Sequence, residues 1–287
     1  MSFIWDSFTA WLKTFLISAI NSNLSGLFDT VNAQVNSIAG EVGQTPQSWN
    51  GNVFTMVQNL SQNVIAPIAG IILTFVACYE LISMVVDKNN LHNFDSFIFY
   101  KWIFKTFVAV YLVSHTFDIT AAVFEMAQHV VQQSAGVINT TSNLSVSVNT
   151  FQASLQAMQP PELFGLLVET LFVGLTIHIL GACIFLIVYG RLLEIYMYCS
   201  IGPIPMATLT NREWGDVGKN YIKSLLALGF QGFFIMVCIG IYAALVQSIT
   251  LSSNIHLAIW TCLGYTVLLC FALFKTGSLS KSVFNAR

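Results

Sequence analysis

Long stretches of this chain carry no charge. No Lys or Arg occurs between Lys105 and Arg191, and no charged residue of either sign occurs between Lys223 and Lys275. Charged residues make up 8% of the sequence and hydrophobic residues 55%, whereas an ordinary soluble domain has about 25% charged residues. A water-soluble fold would need charged surface over both stretches. We therefore predict an all-α, polytopic membrane protein, and the net charge of −2 argues against a basic nucleic-acid-binding domain.

Five segments are long and apolar enough to span a bilayer, which takes roughly 20 residues of helix. The predicted spans are 64–86, a segment from 97 or 102 to 124, 166–190, 225–249 and 256–274. Residues 192–210 are a weaker sixth candidate because two prolines remove backbone donors and block helical continuation. We interpret this segment as a helix break or gate at the cytoplasmic face, with these candidate residues: Gly202, Pro203, Pro205 and Trp214.

The distribution of basic residues predicts the orientation, because Lys and Arg accumulate on the cytoplasmic side of membrane proteins. With the N-terminus outside and five spans, ten of the eleven Lys and Arg residues lie at or near the cytoplasmic face, and Lys13 is the exception. If residues 192–210 crossed the membrane, Arg191 and the basic segment 212–223 would face opposite sides. We therefore expect a protein of the cytoplasmic membrane with an external N-terminus and a cytoplasmic C-terminus.

Residues 1–63 are predicted to form an external N-terminal region. Residues 1–20 carry a broad apolar stripe typical of a helix that lies in the membrane interface, and 43–51 form a turn-rich connector. Between them, six apolar residues repeat with heptad spacing: Leu24, Phe28, Val31, Val35, Ile38 and Val42. This seam would either pack on the chain's own helical bundle or form the subunit contact of a homo-oligomeric ring.

The remaining sequence divides into three parts: a first helical hairpin (64–124), an external central loop (125–165) and a C-terminal membrane core (166–287) with its Gly-Pro break at 202–205. Residues 126–161 contain no charged residue, and 17 of them are Asn, Gln, Ser or Thr. So many polar groups would go unpaired in lipid. Long loops are uncommon unless they are functional, so we interpret this one as an external binding or gating segment, with a simple connector as the alternative.

No motif for catalysis, nucleotides or metals is present. The sequence has no Walker loop, no H-E-x-x-H and no G-x-S-x-G. Its six cysteines lie in apolar segments without a C-x-x-C pair, which indicates small core residues rather than a zinc site. We therefore expect neither enzymatic activity nor a cofactor.

Ionisable residues inside the predicted spans are the remaining candidates, because each is costly in lipid and should face protein or water. Glu80 and Lys105 fall at similar depth on neighbouring antiparallel helices, which predicts an ion pair; the alternative for Lys105 is snorkelling to the interface. His115, Asp118 and His178 could build a proton relay, although a lone intramembrane His is more often a satisfied hydrogen-bond donor. Arg191 and Glu194, one helical turn apart, are expected to form a local surface pair.

Several stretches together resemble the TrbL-type conjugal transfer proteins of Gram-positive conjugative elements. They are 25–29 (SGLFD), 45–50 (TPQSWN), 86–95 (VDKNNLHNFD), 101–105 (KWIFK) and 201–205 (IGPIP) continuing through Trp214. The resemblance implies a non-enzymatic, polytopic subunit of a type IV secretion machine, assembled as an oligomer in the inner membrane. It also implies that the protein acts together with other secretion subunits, cytoplasmic ATPases and a coupling protein.

This resemblance favours a channel or scaffold subunit that contributes to the translocation of DNA or protein. Its partners would be membrane lipid, further copies of the chain, the other secretion subunits, and single-stranded DNA or a relaxase–DNA substrate in transit. The predicted external portion offers almost no positive charge, so any path for DNA would be polar and weakly interacting, or lined by another subunit. The basic residues of the cytoplasmic face would dock the ATPases, or they simply follow the positive-inside rule: Lys88, Lys101, Arg212, Lys219, Lys223, Lys275 and Lys281.

The alternative function is a small-solute transporter or ion channel. Secondary transporters tend to carry paired broken helices in two inverted halves, and five spans do not divide into equal halves. An intramembrane enzyme is a third possibility, but the relay candidates are too few for it.

Overall fold

The computed structural model describes residues 2–86, 96–139, 151–249 and 254–286, and these residues form helices and no strand. This confirms the predicted all-α class. The elements are α1 (Ser2–Val42), α2 (Pro46–Trp49), α3 (Gly51–Leu60), a π-helical turn (Ser61–Ile65), α4 (Ala66–Val86), α5 (Ser96–Ser114), α6 (Thr116–Asn139), α7 (Gln152–Ala157), α8 (Pro160–Ile201), α9 (Pro203–Thr208), α10 (Gly215–Ile249) and α11 (Ile255–Val283).

Within the described residues, four helical segments are long and apolar enough to cross a membrane: Gly51–Val86, Pro160–Ile201, Gly215–Ile249 and Ile255–Val283. A bent pair, Phe99–Ser114 and Thr116–Gly136, adds a fifth if it is counted as one span. The two helices of this pair meet at 66° beside His115, where the sequence predicted one uninterrupted span. The chain is a multi-pass membrane protein.

The helices form two compact units. The first comprises Met1–Gly43, Gln132–Val188 and Phe234–Thr276, and the second comprises Gln44–Val131, Tyr189–Phe233 and Gly277–Arg287. The core of the second unit includes apolar side chains from α4, α5, α8 and α10, among them Leu73, Val113, Ile195 and Leu225. Its entry is fixed by a capping box at α2, in which the Ser48 backbone N–H donates to Thr45 Oγ1 and the Thr45 backbone N–H donates to Ser48 Oγ.

In the first unit, α1 is one continuous helix of 41 residues, where the sequence predicted an interfacial helix followed by a separate seam helix. It runs in the same direction as α8, because Asn23 Nδ2 donates to Thr170 Oγ1 at 3.3 Å and Gln34 Nε2 donates to the carbonyl of Ile177 at 3.4 Å. The first four turns differ from the rest: Trp5, Phe8, Trp11 and Phe15 form an exposed ladder of ring contacts.

The heptad seam is buried inside the chain. Leu24 and Val42 are fully buried, and the other four members are at most 7% exposed. These six residues are therefore not available for a subunit contact in this structure. They pack on the chain's own helices, as the first of the two interpretations expected. Heptad spacing places the six residues on one face of a helix, but it does not say whether the partner helix belongs to the same chain.

The central segment differs from a loop wherever it is described. Helix α6 continues to Asn139, α7 covers Gln152–Ala157, and α8 begins at Pro160. Phe151 and Leu155 are at most 1% exposed, so the end of this segment is packed against the fold. Residues 140–150, the middle of the predicted loop, lie outside the described residues, as do Lys88 and most of 86–95.

Candidate functional site

The helix break at Gly202 is where the second unit departs from simple helix packing. Helix α8 ends at Ile201, and the short helix α9 follows at once, with Pro203 in its first turn. The prolines explain the break, because a proline cannot donate the backbone hydrogen bond that would continue α8. Five of the six α9 residues are buried, among them both Pro203 and Pro205, so the break is enclosed by protein. Irregular backbone in a membrane protein is tolerated when protein surrounds it.

Two glycines make room for this arrangement. A Cβ atom added at Gly202 would lie 2.5 Å from the Tyr221 hydroxyl and 2.7 Å from Thr116 Cγ2. A Cβ at Gly218 would lie 2.7 Å from the carbonyl oxygen of Pro205 and 2.9 Å from Leu209 Cα. Side chains do not fit at either position, so α9 and the start of α10 approach each other at the distance that only glycine allows.

The Tyr221 side chain holds the end of α8 against α10. Its hydroxyl donates to the carbonyl of Tyr198 at 2.9 Å and lies 3.4 Å from Thr120 Oγ1. The rings of Tyr198 and Tyr221 are stacked, with centroids 5.9 Å apart. Because Tyr221 is buried, these contacts satisfy its polar atom where water cannot. Tyr198, four residues before Gly202, is thereby fixed to α10.

The turn between α9 and α10 is tied to α4 and α5 by Glu80. Glu80 is 8% exposed, and its Oε1 forms an ion pair with Lys105 Nζ at 2.6 Å. The predicted interhelical pair between Glu80 and Lys105 is therefore present. Glu80 Oε2 accepts a second set of bonds, from Asn211 Nδ2 at 3.0 Å and from the Arg212 backbone at 3.2 Å. The sequence did not reveal these two, so one carboxylate connects α4, α5 and the turn.

Asn211 and Trp214 complete the turn. Asn211 Oδ1 accepts the backbone N–H groups of Glu213 and Trp214, each at 2.8 Å, which is how an Asn side chain caps the start of a helix. The Trp214 ring stacks on Phe75 and Tyr79 of α4, with both centroid distances at 5.6 Å. We define the Glu80 cluster as Glu80, Lys105, Asn211, Arg212 and Trp214. The capping role of Asn211 had a signal in the sequence, because Asn is a preferred capping residue and this one lies four residues before α10.

The relay candidates do not join this cluster. His115 and Asp118 are exposed, and His115 Nδ1 lies 3.0 Å from the carbonyl of Tyr111 on its own helix. His178 belongs to the first unit, where it is also exposed, and its Nδ1 lies 2.8 Å from the carbonyl of Gly174. The structure gives no support to a proton relay through these residues, nor to an interhelical bond from either histidine.

Arg191 was assigned to the surface by its sequence, and that assignment is wrong. It is 5% exposed, and its Nε and Nη2 donate to the carbonyls of Leu228 and Gly229, both at 3.3 Å. Gly232 provides the space, because a Cβ there would lie 2.8 Å from Arg191 Nη2. Glu194 Oε1 lies 3.5 Å from Lys281 Nζ, and its charge also interacts with that of Arg191. Because the space at Gly232 lies on α10, no pattern close to Arg191 in the sequence reveals its burial.

The Glu80 cluster connects α4, α5 and the turn before α10. Among the described residues, no group of three or more His, Cys, Asp or Glu side chains could hold a metal ion. The charged atoms of Glu80 and Lys105 are already matched to each other. What the arrangement does is lock a break between two long helices onto a neighbouring helical hairpin.

A family model described as TrbL/VirB6 plasmid conjugal transfer like protein matches residues 31–203. The matched region begins within α1 and ends at Pro203, the first residue of α9. No curated protein and no solved structure gave a significant match. Because the match covers more than half of the chain, the protein belongs to the TrbL/VirB6 conjugal transfer family and is a membrane subunit of the type IV secretion class.

Proposed function

We propose that this chain is a channel or scaffold subunit of a conjugative type IV secretion apparatus, working as a homo-oligomer and contributing to the translocation of DNA or protein. The observation that carries the proposal is the contrast between two parallel helices of the first unit. Helix α8 presents apolar side chains on its exposed face, whereas α1, which lies along it, presents polar and small ones.

The exposed face of α8 is suited to lipid. Val168, Leu171, Leu175, Ile179 and Leu186 are each more than half exposed, and α8 is one of the candidate spans. Large apolar side chains on the outside of a spanning helix are the ordinary way to meet hydrocarbon. This face therefore needs no further partner.

The exposed face of α1 beyond Phe15 is not suited to lipid. We define the α1 polar stripe by its exposed residues: Ser18, Ser22, Ser25, Gly26, Asp29, Ala33, Asn36, Ser37 and Gly40. The bonds from Asn23 and Gln34 place this stripe beside the apolar part of α8. Hydroxyl, amide and carboxylate groups that face hydrocarbon lose their hydrogen bonds to water. This loss costs up to several kcal/mol for each group. A water-filled path or a second copy of the chain removes this cost.

The α1 polar stripe is accordingly the surface that we assign to the channel lining or to the contact between copies. It contains one charged residue, Asp29, and no basic residue. Single-stranded nucleic acid binds tightly where basic groups and stacking aromatics line its path. A lining without them would let a polymer slide rather than hold it, which suits transport.

The central segment and the basic residues supply the remaining contacts of the proposal. The end of the segment 126–161 would contact substrate or external subunits through exposed side chains such as Gln152. The cytoplasmic ATPases would dock at the basic face, where Lys219 is 61% exposed. This assignment rests on the proposed orientation, with an external N-terminus and a cytoplasmic C-terminus.

The test is in-frame deletion of the gene, followed by mating assays and photocrosslinking with complementing variants. A photoreactive residue at Ser22, Asp29 or Asn36 would report on the α1 polar stripe, and the same residue at Leu175 or Ile179 is the matched control on α8. We expect loss of transfer on deletion, and crosslinks from the stripe to transferring DNA or to a second copy. The α8 controls are expected to give neither product.

Normal transfer without the protein would overturn the proposal as a whole. Crosslinks from the α8 positions but not from the stripe would overturn the assignment of α1. A photoreactive residue at Gln152 tests the central segment in the same strains, and no crosslink during active transfer would count against its contact with substrate. Robust solute flux through the purified protein alone would favour a small-solute transporter or channel instead.

A further inference from the structure

Two adjoining cavities lie between α4 and α5 in the second unit, and they differ in chemistry. The first is a polar pocket of about 470 Å³ at the end of the helical hairpin, and the second is a groove of about 420 Å³ further along the same two helices. Cys78 and Trp102 line the groove, and their chain neighbours Tyr79 and Lys101 line the pocket. One cavity therefore begins where the other ends.

The polar pocket is basic. Three cations line it, Lys101, Lys105 and Arg212, beside two carboxylates, Glu80 and Glu213. Lys105 is matched by Glu80 at 2.6 Å, and Glu213 accepts a hydrogen bond from the Tyr79 hydroxyl at 2.7 Å. Lys101 and Arg212 are both exposed. Lys101 and Arg212 thus present two exposed cationic side chains at this pocket.

The groove is formed by small and apolar side chains. Ala66, Gly70, Thr74 and Ala77 line it on α4, and Thr106 and Val110 line it on α5. A Cβ atom added at Gly70 meets nothing within 4 Å, so this stretch of the groove is open. Because both helices belong to candidate spans, the groove lies where acyl chains would surround the protein.

Aromatic residues mark the level of the pocket as a membrane interface. Tyr79 and Trp214 stack beside it, Tyr100 is exposed next to Lys101, and the Trp102 indole donates to the carbonyl of Ala77 at 2.8 Å. Tyr and Trp are enriched where the hydrocarbon meets the lipid headgroups. Basic pockets between membrane helices at this level bind anionic headgroups.

We infer that these cavities form a binding site for one anionic phospholipid. Its phosphate would lie between Lys101 and Arg212, and one acyl chain would lie in the groove beside Gly70. The site is separate from the α1 polar stripe and does not depend on the proposed channel. Because Arg212 also donates its backbone N–H to Glu80, a bound headgroup would brace the turn that carries the helix break.

The test uses the full-length protein purified in detergent and analysed by native mass spectrometry. The probes are phosphatidylglycerol, phosphatidylcholine with the same acyl chains, and inorganic phosphate as competitor. The headgroup variant is the double substitution Lys101→Gln and Arg212→Gln. Its matched control is Lys219→Gln with Lys223→Gln, because those lysines line a different pocket at the start of α10.

A second variant, Gly70→Leu, fills the groove without changing charge. Its matched control is Gly165→Leu, because a Cβ at Gly165 also meets nothing within 4 Å and lies on α8. Each basic residue near an anionic headgroup changes affinity about fivefold, so the headgroup variant should bind phosphatidylglycerol about 30-fold more weakly. Gly70→Leu should also weaken binding, and both controls should bind as the parent does.

Each contrary result overturns the inference in a recognisable way. Equal binding of the two phospholipids, or no effect of the headgroup variant, rules out recognition of the anionic headgroup. Full displacement by inorganic phosphate together with unchanged binding by Gly70→Leu identifies a site for free phosphate and not for lipid. The variants are expected to fold, because all the substituted positions border open space. Size-exclusion profiles equal to the parent's would establish this.

Discussion

At the residue scale, the Glu80 cluster shows how one buried carboxylate stabilises a membrane protein. Removing one partner of a buried ion pair leaves an uncompensated charge, which costs about 3–5 kcal/mol in fully buried cases. Lys105 retains 31% side-chain exposure, so the cost should fall at the lower end of that range when Lys105 is lost. Glu80 is the more sensitive member, since it also accepts bonds from Asn211 and Arg212.

We expect Glu80→Ala to lower the free energy of unfolding by about 3 kcal/mol. The substitution removes the partners of an ammonium group, an amide and a backbone N–H at once. Thermal unfolding in detergent, followed by Trp fluorescence, measures the change. Asp118→Ala is the control, because Asp118 is exposed on α6, and it should leave the transition in place. Equal transitions for the two variants would contradict the structural role of Glu80.

A second residue-scale prediction concerns Gly218. We expect Gly218→Ala to destabilise the protein by about 1–3 kcal/mol, which is the usual cost of overpacking. The added methyl group meets backbone atoms of Pro205 and Leu209, and these cannot move like the end of a flexible side chain. The same thermal assay measures the effect.

Gly190→Ala is the matched control for Gly218. A Cβ at Gly190 meets nothing within 4 Å, and Ala favours a helix over Gly by up to about 1 kcal/mol. The control should therefore be neutral or stabilising. A loss of stability in Gly190→Ala as large as that in Gly218→Ala would show that close packing at α9 is not the cause.

Sequence reasoning identified the partner of a residue when the two lie at equal depth on adjacent helices. It failed when the burial of a residue depends on a helix that is distant in sequence. Glu80 and Lys105 could be paired because adjacent antiparallel helices bring equal depths together. Arg191 could not be placed, because its burial depends on the space at Gly232, more than 40 residues away in sequence. The exposure of His178 likewise depends on which face of α8 the other helices cover.

At the element scale, the break after α8 was visible in the sequence because proline chemistry is local. Its environment was not, since the packing of α9 against α4 and α5 is set by residues far along the chain. The continuity of α1 was missed for the opposite reason. Ser and Asn often mark turns and caps, but here they lie along the α1 polar stripe while the buried seam keeps the helix intact.

The stack of Trp214 on Phe75 and Tyr79 predicts how firmly the turn is held. We expect Trp214→Ala to increase the rate of tryptic cleavage after Arg212, because losing the two ring contacts frees the turn to open locally. Trp214→Phe retains a ring at the same position and should be cleaved at nearly the parent rate. Peptide mapping of the purified protein over time measures the rates.

Cleavage after Lys219 provides an internal reference in that experiment. Lys219 is the fifth residue of α10, and its ion pair with Asp216 is solvent-exposed. Cleavage of the peptide bond after Lys219 should therefore not depend on the Trp214 ring. Acceleration at both sites would indicate general unfolding. An unchanged rate at Arg212 in Trp214→Ala would contradict the role of the stack.

At the scale of the whole molecule, composition was enough to identify the class of protein and its long apolar segments. Four of the predicted spans lie within the observed helices, and the fifth corresponds to the bent pair at His115 if that pair is counted as one span. The bend escaped prediction because neither proline nor glycine marks it. The proposed orientation rests on the positive-inside rule, that is, on where the basic residues lie in the sequence.

Cysteine labelling of intact cells tests the orientation and the status of 192–210 together. Single cysteines at Gln152, Asp216, Asn254 and Asn285 can be placed in a Cys78→Ser background, since Cys78 is an exposed native cysteine. With five spans and an external N-terminus, a membrane-impermeant thiol reagent should label positions 152 and 254. Positions 216 and 285 should react only after permeabilisation. If 192–210 crossed the bilayer, position 216 would be labelled from outside and position 254 protected, because every later segment would be inverted.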